Sequence, residues 1–267
     1  MTRVSAEVHY LGTGDAFDDQ RPNTSVVITL RRDGLPDYRL LVDCGYAIPH
    51  VFWRRSTDPD YLDAVYLTHV HADHAFGLPA VVARLGEDGR TRPLLIAGGP
   101  GSTPAIRTVL ETGYPGILQK CPFSLEFLEV DRAAALGPWA ARTARSLHKQ
   151  PDDALRLDHA RVSLAISGDG GPSGETSALY QGVTLLIHEA YYVERSPKTG
   201  HASVPALREA AEGWDVAALH LVHRRRGTLP PDPGPRGCWP DPGDTFVLEA
   251  PADASTARCW TKARPAC

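Results

Sequence analysis

Several features that would decide the class of a protein are scarce or missing from this 267-residue sequence. No apolar run approaches the length of a membrane-spanning helix, and the run within the first ten residues is too short for a secretory signal peptide. Five cysteines without a Cys-x-x-Cys spacing favour reduced thiols, with a disulfide among Cys238, Cys259 and Cys267 as the alternative. We therefore expect a cytoplasmic protein without membrane contact.

An excess of charge of one sign is also missing. The net charge is −4, and the basic residues are scattered apart from one run at 224–226. This balance argues against a large nucleic-acid footprint. With 42% hydrophobic residues the chain can bury a substantial core. We expect one domain over residues 1–267, with a Pro/Gly-rich loop at 227–243 and a polar C-terminal tail.

The most informative stretch is HVHADH at residues 69–74. It contributes four candidate metal ligands: His69, His71, Asp73 and His74. The apolar run 64–67 before it predicts a buried strand, and residues two apart on a strand face the same way. The first two histidines can therefore reach one ion. The other two residues stand where the chain turns into a helix predicted over 75–85, and they can face a second ion. Imidazole and carboxylate ligands suit zinc and similar divalent metals.

Three further candidate ligands follow strand-like runs: His148, Asp169 and His223. His159 is the alternative to His148, but it sits beside Asp158 in a predicted hairpin turn. Asp169 lies between two glycines that permit close approach, so its carboxylate is placed to bridge two metals. His220, inside the last of these runs, is expected to be a hydrogen-bonded core histidine. Asp43 either caps a turn or orients a metal-binding histidine.

Strand and helix patterns alternate along the chain. The strand predictions are 4–11, 25–31, 38–42, 64–67, 94–97, 124–130, 139–146, 161–166, 184–187, 216–222 and 245–248. The helix predictions are a short helix around His50 and Trp53, then 75–85, 104–112 and a helix capped by Ser203 that runs to about Gly213. A lone glycine turn at 12–14 lacks the spacing of a dinucleotide fingerprint. Every candidate ligand sits at or beyond a strand end, where α/β proteins place their chemistry.

Together these residues resemble the metallo-β-lactamase superfamily, whose HxHxDH signature is matched by HVHADH. Within it the sequence is most similar to ribonuclease Z-like hydrolases. The segments that carry this likeness are YLGTGDAF at 10–17, SGD at 167–169, LLIHEA at 185–190, GHAS at 200–203 and LHLVH at 219–223. Two departures are SGDG in place of SGDT and the arginines after His223. The short interval between His148 and Asp169 also lacks room for the arm with which transfer-RNA-processing members grip their substrate, so transfer RNA is not an expected partner.

The resemblance implies a fold and a metal centre. The fold is an α/β, four-layer αββα sandwich. The first ion takes His69, His71, His148 and Asp169, and the second takes Asp73, His74, Asp169 and His223. Zinc is the expected metal, with manganese or iron as alternatives. Similar proteins are often homodimers, so a homodimer is the expected assembly.

The resemblance also implies an activity. A metal-bridging hydroxide would attack the substrate, oriented by Asp73, while His201 serves the leaving group and Glu189 orients His201. We expect a phosphodiesterase that acts on a small-molecule ester, either a small phosphodiester or a short nucleic-acid end. Lactone, thioester or aryl sulfate hydrolysis on the same fold is the alternative, and a non-catalytic metal-binding carrier is the alternative outside enzymes.

Overall fold

Two β-sheets packed face to face form the centre of the computed structural model, which describes residues 4–196, 198 and 200–249 and the backbone of 259–263. The strands are β1 (Val4–Gly12), β2 (Ser25–Arg32), β3 (Leu35–Val42), β4 (Ala64–Leu67), β5 (Leu94–Gly98), β6 (Leu125–Glu129), β7 (Ala134–Leu136), β8 (Trp139–Arg145), β9 (Asp153–His159), β10 (Val162–Ile166), β11 (Leu185–Glu189), β12 (Ala218–Val222), β13 (Gly237–Cys238), β14 (Thr245–Glu249) and β15 (Cys259–Ala263). Within the described residues, one sheet has the order β15-β14-β1-β2-β3-β4-β5-β6 and the other β13-β12-β11-β10-β9-β8-β7. Both sheets mix antiparallel and parallel pairs.

Helices cover the outer face of each sheet. They are α1 (Ile48–Arg55), α2 (Ala72–Ala75), α3 (Leu78–Glu87), α4 (Thr103–Gly113), α5 (Ile117–Lys120), α6 (Gly174–Tyr180) and α7 (Val204–Trp214). One buried apolar cluster joins α1, α3, α4 and α5 to the first sheet, and another joins α6 and α7 to the second. A third cluster lies between the sheets and combines residues such as Ile28 and Leu155. This architecture confirms the predicted αββα sandwich.

The alternation of side chains along the strands explains how the inner faces of the two sheets pack against each other. In β1, Ala6, Val8 and Tyr10 all belong to the cluster between the sheets. Because successive side chains on a strand point to opposite faces, this spacing of two is the one that a half-buried strand requires. The ends of several strands carry candidate ligands.

Parallel pairing brings several of those strand ends together. In the first sheet β3, β4 and β5 run parallel, and in the second β10, β11 and β12 run parallel. His69 follows β4, Asp169 follows β10, and His223 follows β12. Since parallel strands end at the same edge, residues distant in sequence meet there.

The helix predicted to begin near Ala75 begins earlier and is interrupted. α2 starts at Ala72, so Asp73 and His74 lie on a helix and not in a turn before it. The interruption follows because Gly77 N donates a 2.8 Å hydrogen bond to Cys44 O, and α3 then starts with a proline in its first turn. The predicted start of this helix was therefore wrong, because a tertiary hydrogen bond at Gly77 interrupts the helical ones.

Other segments differ from the predictions in detail. β9 has no counterpart among the predicted strands, because its DALRLDH sequence mixes charged and apolar residues; it pairs antiparallel with both β8 and β10. The Pro/Gly-rich segment 227–243 contains the short strand β13, and β15 lies within the predicted polar tail.

The structure bears on two expectations from composition, which concern membrane-spanning helices and the state of the cysteines. None of the helices in the described part of the chain has the length and apolar character needed to cross a lipid bilayer. Cys44 and Cys121 are free thiols. Cys267 and the side chain of Cys259 lie outside the described residues, so a disulfide among the C-terminal cysteines stays an alternative.

Candidate metal centre

The structure brings together all seven residues predicted as ligands. They form two groups that share Asp169: His69, His71, His148 and Asp169, and Asp73, His74, Asp169 and His223. In each group, one nitrogen or oxygen atom per residue lies within 4.8 Å of the others. The alternative ligand His159 lies elsewhere, where its Nδ1 donates a 2.8 Å hydrogen bond to Pro138 O.

In the first group three imidazole nitrogens face one another. His69 Nε2 lies 2.9 Å from His71 Nδ1, and His148 Nε2 lies 3.3 Å from the same His71 atom. Burial lowers the pKa of His69 to about 3, and burial together with the neighbouring His69 lowers the pKa of His71 to about 4. Both rings are therefore neutral at physiological pH, which is the form that binds metals.

The second group is more deeply buried and more strongly charged. Asp169 Oδ1 lies 3.4 Å from His74 Nε2 and 3.5 Å from His223 Nδ1, and Asp73 Oδ2 lies 3.3 Å from His74 Nε2. Burial would lower the pKa of His74, but the Asp169 and Asp43 carboxylates outweigh burial and raise it. The surroundings of His74 therefore favour a positive charge at this position, whether a proton or a metal ion carries it.

Hydrogen bonds at the far side of three histidines set their orientation. His69 Nδ1 lies 3.0 Å from Asp152 Oδ1, His74 Nδ1 donates to Asp43 Oδ2 at 2.8 Å, and His148 Nδ1 donates to Gly200 O at 2.9 Å. Because Nδ1 carries the proton in each ring, the Nε2 lone pairs face the centre of the site. Asp43 thus takes the histidine-orienting role, one of the two alternatives that the sequence left open.

Divalent metal ions fit this arrangement. His74 Nε2, Asp169 Oδ1 and His223 Nδ1 are buried atoms that have no hydrogen-bond partner in the protein, and all three belong to the second group. Buried polar atoms normally find partners, so converging ones without them indicate a bound ion. His223 also adopts a left-handed backbone (φ 55°), a conformation that non-glycine residues keep mainly where the surrounding structure demands it.

Asp152 is a site residue that the sequence analysis did not identify. It is fully buried, and besides His69 its carboxylate contacts Asp169 N at 3.1 Å and Ser146 Oγ at 2.7 Å. Burial raises its pKa well above the ordinary value. A Cβ atom at Gly168 (φ 65°) would lie 2.2 Å from Asp152 Oδ1, so the glycine before Asp169 makes this contact possible. The only sequence signal was an acidic pair shortly after His148.

Replacing Asp152 with alanine should weaken metal binding by roughly 10- to 100-fold, the usual effect of removing an outer partner of a ligand. The reason is that Asp152 fixes both the ring of His69 and the backbone of Asp169. Competition with a chromogenic chelator would measure the affinity. Asp152→Asn is the matched control, because an amide keeps an oxygen acceptor for His69, and it should retain most of the affinity. Equal affinities in all three proteins would contradict the positioning role.

His201 lies beside the two groups without belonging to either. Its ring stacks on Tyr191 at 4.7 Å between centroids and lies parallel to His223 at 6.0 Å. Its Nδ1 is 3.3 Å from Glu189 Oε1. Burial would lower the pKa of His201, but the Glu189 carboxylate beside it outweighs burial and raises it. A histidine that holds its proton near neutral pH is suited to serve as a general acid.

Glu189 does more than contact His201. Its buried carboxylate accepts hydrogen bonds from Gly170 N at 3.0 Å, Ala202 N at 2.7 Å and Tyr191 N at 2.8 Å. These bonds tie the Asp169 loop to the segment that carries His201. Glu189 therefore holds the backbone around His201 as well as facing its ring.

Together with relatives named ribonuclease Z and ribonuclease BN, the fold and the candidate site identify a metal-dependent hydrolase of the metallo-β-lactamase superfamily, in the ribonuclease Z-like branch that the sequence segments indicated. The chain belongs to the family described as Anti-Pycsar protein Apyc1, whose model matches residues 6–214.

Individual proteins resemble the chain in sequence or in fold. Ribonuclease Z from Methanothermobacter thermautotrophicus is 25% identical over 81% of this chain and 86% of its own length. The short form of human tRNase Z shares the fold with a TM-score of 0.70 at 20% identity, over 92% of this chain and 99% of that one. A diphosphatase of the PhnP family shares it with a TM-score of 0.69 at 19% identity, over 94% and 99% of the two chains.

Proposed function

We propose that this chain is a phosphodiesterase with a two-metal centre that acts on small phosphodiesters or short nucleic-acid ends. The observation that supports this most is the pair of ligand groups sharing Asp169, with His201 beside them. Two ions held there would acidify a water molecule and polarise the phosphoryl oxygens. We propose zinc because the ligand set is rich in imidazole, with manganese or iron as alternatives.

The protein's own residues have distinct proposed roles. Burial would raise the pKa of Asp73, but the adjacent His74 ring lowers it to about 2, so the carboxylate is ionised at neutral pH. We propose that Asp73 both ligates metal and orients the attacking water. His201 gives its proton to the departing oxygen, and Glu189 positions His201 and keeps it protonated.

A panel of chromogenic substrates tests the proposed reaction class. Metal-loaded protein should hydrolyse bis(p-nitrophenyl) phosphate and nitrophenyl esters of nucleotides much faster than a lactone, a thioester or an aryl sulfate. The chelated protein serves as the control for metal dependence. If one of the other esters is the best substrate, the alternative hydrolase assignment replaces this one, and hydrolysis of none would favour the non-catalytic carrier.

Relatives named ribonuclease Z make processing of transfer RNA the second candidate. We nevertheless expect little activity on transfer-RNA precursors. The interval between His148 and Asp169 holds the hairpin of β9 and β10, both of which lie within the second sheet. A net charge of −4 also offers little attraction to a large polyanion, whose affinity rests mainly on phosphate contacts. Efficient 3′ cleavage of a precursor at submicromolar affinity would contradict this expectation.

Two features of the proposal concern the whole chain. We propose that residues 1–267 work as one domain, because ligands from both sheets are needed to complete each group. We also keep the homodimer as a prediction. Light scattering on the purified protein would give twice the 28.9 kDa mass of one chain if the dimer forms, and the mass of one chain if it does not.

A further inference from the structure

Two tyrosines of the first sheet reach across the core to the second sheet. Tyr10 lies on β1 and Tyr66 on β4, and both are fully buried in the apolar cluster between the sheets. Burial raises the pKa of both phenols well above the ordinary value, so each hydroxyl keeps its proton. Because a buried hydroxyl without a partner costs free energy, the partner of each hydroxyl holds it in place.

Tyr66 links the two sheets beside the first ligand group. Its Oη donates a hydrogen bond to Asp153 O at 3.0 Å, and Asp153 N donates to Thr68 O, also at 3.0 Å. The end of β4 and the start of β9 are therefore joined twice. Thr68 directly precedes His69, and Asp153 directly follows Asp152, whose carboxylate contacts the His69 ring.

Tyr10 makes the corresponding link beside the second ligand group. Its Oη is hydrogen-bonded to His220 Nδ1 at 2.6 Å, and burial lowers the pKa of His220 to about 3, so the ring is neutral. Three residues after His220, His223 N donates a 2.9 Å hydrogen bond to Thr13 O, which lies three residues after Tyr10. One tyrosine bond and one backbone bond thus join the ends of β1 and β12, as they join β4 and β9.

Each link lies where ligands from the two sheets must meet. In both groups, some ligands follow β4 of the first sheet and the others follow strands of the second. A link that fixes the spacing of the sheets beforehand reduces the ordering that ion binding would otherwise require. We propose that Tyr66 and Tyr10 are positioning residues that hold the first and the second ligand group respectively, an inference that rests on the proposed two-metal centre.

Withdrawal of zinc from the loaded protein by a chromogenic chelator tests this assignment. His71→Ala and His223→Ala identify the step that belongs to each group. Tyr66→Phe should weaken binding of the first ion by about 2- to 12-fold, which corresponds to a hydrogen bond worth roughly 0.5–1.5 kcal/mol, and should leave the second ion unchanged. Tyr10→Phe should do the reverse, so each variant is the matched control for the other. Tyr180→Phe removes a buried hydroxyl from the cluster under α6 and α7 and should change neither ion.

Amide hydrogen exchange, followed by NMR on the same loaded proteins, gives a readout that does not depend on the number of ions. Tyr66→Phe should speed exchange at the Asp153 amide, and Tyr10→Phe should speed it at the His223 amide, each without changing the other. Variants that weaken both ions equally, or that exchange like the wild type at both amides, would overturn the inference. A wild type that binds a single ion would contradict the proposed centre, and the exchange pattern would then decide whether each tyrosine holds its own strand ends.

Discussion

Replacement of His201 with alanine is expected to slow hydrolysis of an alkyl or nucleoside diester by roughly 10²- to 10⁴-fold, the usual worth of a positioned general acid. The departing oxygen of such a substrate is basic and needs a proton. His201 is the proposed donor, because Glu189 raises its pKa and Tyr191 stacks on its ring. A nitrophenyl diester, whose leaving group departs without help, should lose far less activity.

This prediction has two controls, which are the metal content of His201→Ala and the activity of a second histidine variant. His201→Ala should keep its metals, because His201 belongs to neither ligand group. His50→Ala, at an exposed position on α1, should leave both activities unchanged. An equal loss on the two substrates would indicate a defect in binding or folding, and no loss on either would remove His201 from the reaction.

The pH dependence of the same activity follows from the direction of the pKa shift. A general acid must be protonated, so the rate on an alkyl diester should fall as the pH rises through the pKa of His201, which lies above the ordinary 6.5. The alanine variant should lose this limb of the profile. A limb that persists in the variant would belong to another group.

Asp169→Asn should have the other large effect, because it changes the residue that both ligand groups share. Burial would raise the pKa of Asp169, but the charges of His223 and His74 lower it well below the ordinary value, so a full negative charge faces both groups. The amide keeps the shape and removes the charge. We expect both ions to bind more weakly and activity to fall by about 10³-fold or more, since metal stabilisation of the transition state is worth several kcal/mol.

Asp158→Asn provides the matched control for that loss. Asp158 lies on β9 and pairs with Arg142 and Arg156 away from the ligand groups. The metal content and the activity of the Asp158→Asn variant should equal those of the wild type. If Asp169→Asn also retains two ions at wild-type affinity, Asp169 is not shared between them.

The sequence predicted all seven residues that the structure groups as candidate ligands, because local patterns mark their positions. HVHADH follows an unmistakable buried strand, and Asp169 and His223 follow two others, so each could be placed at a strand end without a structure. The choice of His148 over His159 also rested on position relative to strands. These inferences needed only the periodicity of the chain and the chemistry of the side chains.

What the sequence could not reveal depends on contacts between distant segments. Asp152 acts through His69, a residue from the other sheet, and nothing near Asp152 in the sequence marks it as buried. The interruption after α2 likewise follows from a hydrogen bond to Cys44.

The metal-to-chain ratio tests most directly whether the two ligand groups, built from both sheets, hold two ions. Elemental analysis of protein saturated with zinc and freed of excess metal should give a ratio near two. His223→Ala should lower the ratio toward one, because His223 belongs only to the second group. A wild-type protein that saturates at one ion, with no change in His223→Ala, would contradict the two-metal account.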